Sequence, residues 1–123
     1  MATHTGPEAR REQSLRRLGT RQPACVVCGE TDPRCMELHH IAQIRHHEDT
    51  AIVCRNCHRK LSDDQRDHVM DRHGQDQTLA TVGHYLMGLA DLFKLMAATL
   101  AQLGATLIRQ AKSPARTERN GRQ

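Results

Sequence analysis

Four of the five cysteines occur as two Cys-x-x-Cys pairs, Cys25 with Cys28 and Cys54 with Cys57, and 25 residues separate the pairs. Two intervening residues allow both thiolates of a pair to face one ion, and two such pairs complete a tetrahedral site for zinc. Because four protein ligands leave no position for water, such a site is structural. The spacing therefore predicts a closed structural zinc centre, with a redox role or free thiols as the alternatives.

The cysteine count also bears on the cellular compartment. The beginning of the chain has no apolar segment of the kind found in secretory signals. Five cysteines without such a signal indicate a reducing compartment, where Cys-x-x-Cys pairs bind metal more often than they form disulfides. We therefore expect a cytoplasmic protein with four metal ligands and one spare thiol, Cys35.

Three histidines accompany the cysteines: His39 and His40 precede the second pair, and His58 directly follows it. Successive strand residues point to opposite faces, so one of His39 and His40 can face a helix while the other faces a substrate groove. An ion held by His39 and His58 would keep open positions for water and phosphate. Histidine exchanges protons near neutral pH, which would let His40 act as a general base. Surface or packing histidines are the alternative, and His46 and His47 are further candidate ligands or loop residues.

The order of these residues resembles the HNH endonuclease family. The matching pattern is Cys-x-x-Cys-Gly, then Leu-His-His-Ile, then Ile-Val-Cys-x-x-Cys-His-x-Lys-Leu, and it covers residues 25–61, about a third of the chain. The resemblance implies a ββα-metal fold, in which two strands and a helix hold one divalent ion, with a structural zinc in the four-cysteine subgroup. It also implies hydrolysis of nucleic-acid phosphodiester bonds, with DNA as the expected substrate.

Individual roles follow from the resemblance position by position. His39 corresponds to one ligand of the catalytic ion, His58 to the second ligand and His40 to the general base. The place of the family's central Asn, which orients the base, is held here by Asp49, or by Thr50 if the loop is shifted. The implied catalytic ion is divalent, such as Mg²⁺, Mn²⁺, Ni²⁺ or Zn²⁺.

The formal net charge is +4, and the basic residues are concentrated at the two ends of the chain. Five lie in the first 21 residues and five in the last 15. Basic ends around a polar domain indicate a polyanionic partner, nucleic acid first, whereas solubilising tails are the simpler interpretation. Four thiolates on a divalent ion carry about −2, so local clusters must supply the affinity. The candidates beside the second cysteine pair are Arg55, Arg59 and Lys60.

Two short strands and a helix must position these side chains. Alternation over 35–39 and the apolar run 51–53 predict paired strands, and a short helix is expected to begin at Cys54. The expected fold class is α+β: a small zinc-stapled ββα-metal domain of the HNH type, followed by a long C-terminal amphipathic helix.

Two further short helices are predicted on either side of this unit. Helix-forming composition over 8–18 ends at Gly19, a natural helix stop. Ser62 with Gln65 three positions later matches a capping box. We therefore expect a separate helix over 63–72.

From position 79 onward the apolar residues alternate at spacings of three and four, the heptad pattern of a coiled-coil helix. The helix should span 79–110, roughly 46 Å at 1.5 Å per residue. Such a stripe does not stay exposed in water, and the preceding domain is too small to cover it. We therefore expect a homo-oligomer, most simply a dimer, built through nine residues: Leu79, Val82, Leu86, Leu89, Phe93, Met96, Leu100, Leu103 and Leu107.

Two alternatives remain for this helix. Membrane contact is disfavoured because Asp91 and Lys94 interrupt the apolar run, and the 14 uncharged residues 95–108 fall short of the roughly 20 that a span requires. The helix could instead fold back on the 63–72 helix within one chain, with a break near Gly88.

The chain accordingly divides into four segments, and two functions remain open. The first function is a metal-dependent HNH-type endonuclease, and the second is a non-catalytic zinc-stapled module that binds nucleic acid or protein and assembles through its long helix. The segments are a basic, partly helical start over 1–22, the zinc-binding domain over 23–74, the long helix over 79–110 and a disordered basic tail over 111–123.

Overall fold

The computed structural model describes residues 6–69, 74 and 76–112. The predicted disordered tail and part of the predicted 63–72 helix lie outside these residues, although 111 and 112 belong to the last helix and not to a disordered tail. In chain order the elements are α1 (Pro7–Leu18), a 3-10 turn (Pro33–Cys35), β1 (Met36–His40), β2 (Thr50–Cys54), α2 (Arg55–Gln65) and α3 (Gln77–Lys112).

The sheet consists of β1 and β2, paired antiparallel, with Met36 opposite Cys54 at one end and His40 opposite Thr50 at the other. Alternation along β1 places Glu37 and His39 on one face and the remaining residues on the other. The chain is thus a mixed fold of helices and a small two-stranded sheet, followed by a long helix. This part of the predicted fold class is confirmed.

The first helix, α1, covers β1 through its two leucines. Leu15 and Leu18 are buried, and the Arg17 guanidinium donates a hydrogen bond to the backbone oxygen of Met36 at 3.1 Å. Gly19 takes a left-handed conformation, φ 76°, and its N–H bonds the carbonyls of the last turn. Glycine adopts this conformation without a steric cost, so the predicted stop at Gly19 is confirmed.

The second helix, α2, runs without interruption from the second cysteine pair to Gln65. The prediction that Ser62 caps a separate helix is therefore wrong. Leu61 is fully buried, and the Gln65 side-chain amide donates to the backbone oxygen of His40 at 3.1 Å. The Gln65 contact requires the helix to continue through Ser62, because a turn at Ser62 would direct Gln65 away from His40. Tertiary packing thus outweighs the local capping pattern.

The third helix, α3, is continuous for 36 residues and does not break at Gly88. Its buried positions are His84, Gly88 and Leu92, spaced four apart on one face. A Cβ atom on Gly88 would lie 1.7 Å from the backbone oxygen of Ile41. Only glycine allows α3 to come this close, so α3 packs directly against the backbone of Ile41, the residue after β1.

The nine residues of the heptad pattern lie on a different face of α3, which we call the outer stripe. Seven of them are more than half exposed, whereas Leu89 and Met96 pack partly against the domain core. By length and composition alone, α3 is apolar enough to cross a membrane, which is weak evidence because core helices of soluble proteins meet the same criterion. The exposed members are Leu79, Val82, Leu86, Phe93, Leu100, Leu103 and Leu107.

Replacing Gly88 by alanine should separate α3 from the domain. The new methyl group would overlap the Ile41 carbonyl, and overpacking of this kind costs about 1–3 kcal/mol of unfolding free energy. Urea unfolding should show this loss. The matched control is Gly83→Ala, where a Cβ meets nothing within 4 Å. There the better helix propensity of alanine should stabilise the chain by up to about 1 kcal/mol. Equal midpoints for the two variants would contradict the close contact.

Candidate functional site

The first cysteine pair is held in a tight turn that is fixed to the sheet. The Cys25 N–H donates to the Glu30 oxygen at 2.8 Å, and the Gly29 N–H donates to the Cys25 oxygen at 2.9 Å. Gly29 has φ 82°, a left-handed conformation that glycine adopts without steric cost. The Val26 N–H donates to the Ile52 oxygen at 3.0 Å, which joins the knuckle to β2.

The second pair lies at the junction of β2 and α2. Cys54 is the last residue of β2 and the N-cap of α2, and its sulfur accepts the Cys57 N–H at 3.5 Å. Cys57 lies in the first helical turn and is buried. The change from strand to helix thus turns both thiols toward the first knuckle.

All four sulfurs lie within 4.8 Å of one another, and the Cys28 and Cys54 sulfurs are 3.6 Å apart. Zinc–sulfur bonds of about 2.3 Å in a tetrahedron put neighbouring sulfurs roughly 3.8 Å apart, so the arrangement fits a structural zinc ion. None of the five cysteines forms a disulfide. Cys35, the spare thiol, is exposed and stands outside the cluster. We call this group the cysteine cluster.

The local environment favours ionisation of one thiol before the others. Burial opposes ionisation of Cys25, but backbone N–H groups, with Cys28 and Cys54 first, outweigh it and lower the pKa of this thiol to about 7. Burial raises the pKa of the Cys57 thiol, and the hydrogen bond with Cys54 raises it further. Several buried sulfurs cannot carry negative charge together without a cation, which is the electrostatic requirement that a divalent ion satisfies.

A second group of polar side chains forms on the face of β1 that α2 covers. Glu37 and His39 project from this face, and His58, one residue after the cysteine cluster, projects from α2 toward both. The His58 and His39 rings are edge to face with centroids 5.3 Å apart, and His58 Nδ1 lies 2.5 Å from the Glu37 carboxylate. We call these three residues the histidine face.

The hydrogen bond to Glu37 determines which nitrogen of His58 is available. A carboxylate partner keeps the proton on Nδ1 and leaves the lone pair of Nε2 for a metal ion, as in many metal sites. Glu37 was not recognised from the sequence. Its spacing of two from His39 on a strand was the signal that could have identified it.

His39 is the most deeply enclosed of the three. It is 1% exposed, and its Nε2 atom is buried without a hydrogen-bond partner among the described residues. Burial lowers the pKa of His39 to about 4, and the nearby His58 and His40 lower it further, while Asp91 opposes the shift. The ring is therefore neutral at physiological pH, the form that binds metals, and its unpaired Nε2 fits a ligand role.

The histidine face is less closely assembled than the cysteine cluster. Within the described part of the chain, only the cysteine cluster brings three or more candidate metal ligands within 4.8 Å of one another. The three residues of the histidine face do not meet this distance. An ion bound by His39 and His58 would therefore rely on water or substrate for its remaining ligands, as an open catalytic site does.

His40 and Asp49 lie away from the histidine face. His40 is half-buried on the opposite face of β1. The Asp49 carboxylate accepts a hydrogen bond from the Tyr85 hydroxyl of α3 at 2.6 Å and lies 3.6 Å from His47 Nδ1. The Ile41 N–H donates to the Asp49 backbone oxygen at 3.1 Å, which closes the loop between the strands. Asp49 is thus directed to α3, a contact that the sequence did not reveal.

Two more polar contacts tie α3 to the domain. His68 Nε2 donates to the Asp91 carboxylate at 2.6 Å, and the His68 side chain is only 6% exposed. The His46 ring stacks on the His84 ring at 3.8 Å between centroids. His46, one of the candidate alternative ligands, therefore serves helix docking in this structure, as does His47, whose ring lies edge to face with Tyr85.

The predicted nucleic-acid contacts lie on the exposed side of α2. Arg59 and Lys60 are exposed and line an open groove with Arg66. Arg55 is also exposed, but its Nε donates to the Glu37 carboxylate at 3.2 Å. Arg55 therefore also orients Glu37 on the histidine face.

Comparison with known proteins assigns neither a family nor a function to this site. No family model, curated protein or solved structure matches the chain.

Proposed function

We propose that this chain is a metal-dependent endonuclease of the HNH type, which hydrolyses phosphodiester bonds of nucleic acid, with DNA as the expected substrate. The observation that carries the proposal is the histidine face: a neutral His39 with an unpaired Nε2 beside His58, whose Nε2 is left free by Glu37. A two-stranded sheet, a helix and a four-cysteine cluster in this order support the ββα-metal interpretation.

The cysteine cluster contributes by position and not by chemistry. Cys57 and His58 are neighbours in the first turn of α2, so a zinc ion in the cluster would fix the position of His58 relative to β1. His39 reaches the same place from the strand. The structural centre would thereby determine the distance between the two histidines to the precision that an ion requires.

The remaining roles are assigned by side-chain chemistry. His39 and His58 would hold the divalent ion, which supplies Lewis-acid stabilisation of the scissile phosphate when bound. The resemblance assigns to His40 the proton of the attacking water, although the His40 side chain lies on the opposite face of β1 from His39. The exposed Arg59 and Lys60 would contact backbone phosphates beside the scissile bond, which makes binding depend on salt.

The test is a plasmid-nicking assay on the zinc-loaded protein with Mg²⁺, Mn²⁺ or Ni²⁺. The parent chain should convert supercoiled plasmid to the nicked form, and His40→Ala should lower the rate by about 10²–10⁴-fold, the usual contribution of a general base. His40 is half-buried and its side chain faces away from α2, so the variant should keep its zinc and its fold. Equal rates for the two proteins, with any metal, would contradict the proposal.

A non-catalytic binding module is the second candidate, and the Tyr85 contact favours it. The Asp49 carboxylate is bound by α3 in place of an Asn that orients a base. A chain that binds duplex DNA but nicks it with none of the three metals would have this second function.

A further inference from the structure

The helix α3 presents two separate faces. His84, Gly88 and Leu92, which pack on the domain, form the inner face. At roughly 100° per residue, the centre of the outer stripe lies about 120° around the helix from the centre of this inner face. The domain therefore leaves most of the outer stripe open and contacts it only at Leu89 and Met96. A second molecule can reach the seven exposed positions without moving any part of the domain.

The outer stripe has the size of a stable interface. Each of its seven exposed side chains offers roughly 100 Å² of apolar area, or roughly 700 Å² per chain. A standard protein interface buries about 800 Å² per partner, and Leu89 and Met96 add to the total. Within the described helix, Leu95 and Met96 are the last hydrophobic residues that pack against the domain core, so about four turns, 97–112, extend beyond this cover.

The period of the stripe specifies what can cover it. Alternation of three and four over four heptads fits knobs-into-holes packing against a helix with the same period. Small residues adjoin the stripe once in each heptad and allow a close approach. They are Gly83, Ala90, Ala97 and Gly104. A second copy of α3 satisfies both requirements.

We propose that two copies of this chain pair through their outer stripes, with the two α3 helices antiparallel. In this register Val82 of one copy lies beside Leu107 of the other, and Leu86 lies beside Leu103. Continuing inward, Leu89 meets Leu100 and Phe93 meets Met96, so eight of the nine stripe residues are used in each copy.

Charge selects the antiparallel direction. The C-terminal end of α3 carries Arg109 and Lys112, whereas Asp76 lies at its N-terminal end and caps the helix through the Thr78 N–H at 2.9 Å. Antiparallel pairing brings the basic end of one helix to Asp76 of the other. It also places the two helix dipoles antiparallel, which is the favourable arrangement. Parallel pairing would put the basic ends together.

A membrane is the competing occupant, and the inner face argues against it. Through His84 to Leu92 the helix is covered by its own domain, so lipid cannot surround this half. Only 97–112 remains, roughly 24 Å of helix against the roughly 30 Å hydrocarbon core of a bilayer. The proposal does not depend on nuclease activity, since the outer stripe contains no residue of the histidine face.

The first experiment measures the mass of the full zinc-loaded chain by sedimentation equilibrium. The parent should have twice the mass of one chain, and Leu100→Glu should have the mass of one. The matched control is Ala98→Glu, an exposed position outside the outer stripe, which should remain a dimer. A monomeric parent that co-sediments with phosphatidylglycerol vesicles, and loses this binding equally in both variants, would overturn the proposal in favour of a membrane.

The second experiment determines the direction of pairing. Leu86→Glu and Leu103→Lys should each raise the dimer dissociation constant by about a hundredfold, because each puts an unpaired charge into the buried interface. In the double variant, antiparallel pairing places each glutamate beside a lysine of the other copy and should recover the dimer. Parallel pairing would instead place glutamate beside glutamate and lysine beside lysine. A double variant as dissociated as the single ones would therefore refute the antiparallel arrangement.

Discussion

Replacing Cys57 by serine should abolish zinc binding at one ion per chain and, with it, cooperative unfolding of the domain. Cys57 is buried in the core cluster together with Cys25 and Cys54, so the ion would lie where the two knuckles and the sheet meet. Structural zinc sites supply about 10–16 kcal/mol at neutral pH. Small domains have a total stability of about 5–15 kcal/mol, so loss of the ion should leave too little to keep the fold.

The chain provides its own control for this experiment. Cys35→Ser removes the exposed fifth thiol, which lies outside the cysteine cluster, and should leave metal content and melting unchanged. Zinc content can be measured by inductively coupled plasma spectrometry and unfolding by circular dichroism. A strong chelator added to the parent should reproduce the Cys57→Ser result. Full zinc content in Cys57→Ser, with the parent's melting curve, would contradict a four-cysteine structural site.

The second large effect concerns the division of roles between His58 and His40. His58→Ala should weaken binding of Mn²⁺ to the zinc-loaded chain and remove nicking activity. His40→Ala should lose activity while its Mn²⁺ affinity stays unchanged, because its side chain lies on the opposite face of β1. His58 is preferable to His39 as the ligand to replace, because its side chain is 28% exposed and its loss disturbs the core less.

Glu37 allows a finer test of the same site. Glu37→Gln keeps the shape of the side chain but removes the charge that holds the proton on His58 Nδ1. Loss of such a partner typically lowers metal affinity 10–100-fold. Calorimetric titration with Mn²⁺ should place this variant between the parent and His58→Ala. If His58→Ala and the parent bind Mn²⁺ equally, the histidine face is not a metal site.

The local elements were predictable because each is specified by nearby residues. Cysteine spacing identified the knuckles, and alternation beside His39 identified a strand that the structure places at Met36–His40. The helix over 8–18 is present as Pro7–Leu18 and the long helix as Gln77–Lys112. In these cases the backbone geometry and the side-chain pattern give the same answer, so no tertiary information was needed.

The docking of α3 was not predictable for a physical reason. Its contact face is formed by a histidine, a glycine and a leucine at four-residue intervals. Only one of these three is hydrophobic, so hydrophobic periodicity indicates the outer stripe and not this face. The same limit applies to Tyr85 and Asp91, whose partners Asp49 and His68 are distant in sequence. Contacts that depend on a close backbone approach or on one polar pair leave no periodic signal.

The contact between Gly88 and the Ile41 carbonyl also determines the rotational phase of α3. Turning the helix by one residue, roughly 100°, would bring Met87 or Leu89 to the point where even a methyl group overlaps the carbonyl. Rotation and sliding are thus both blocked by one glycine. The direction in which the outer stripe faces is therefore decided inside the domain, at the residue that follows β1, and not at the surface where a neighbour would bind.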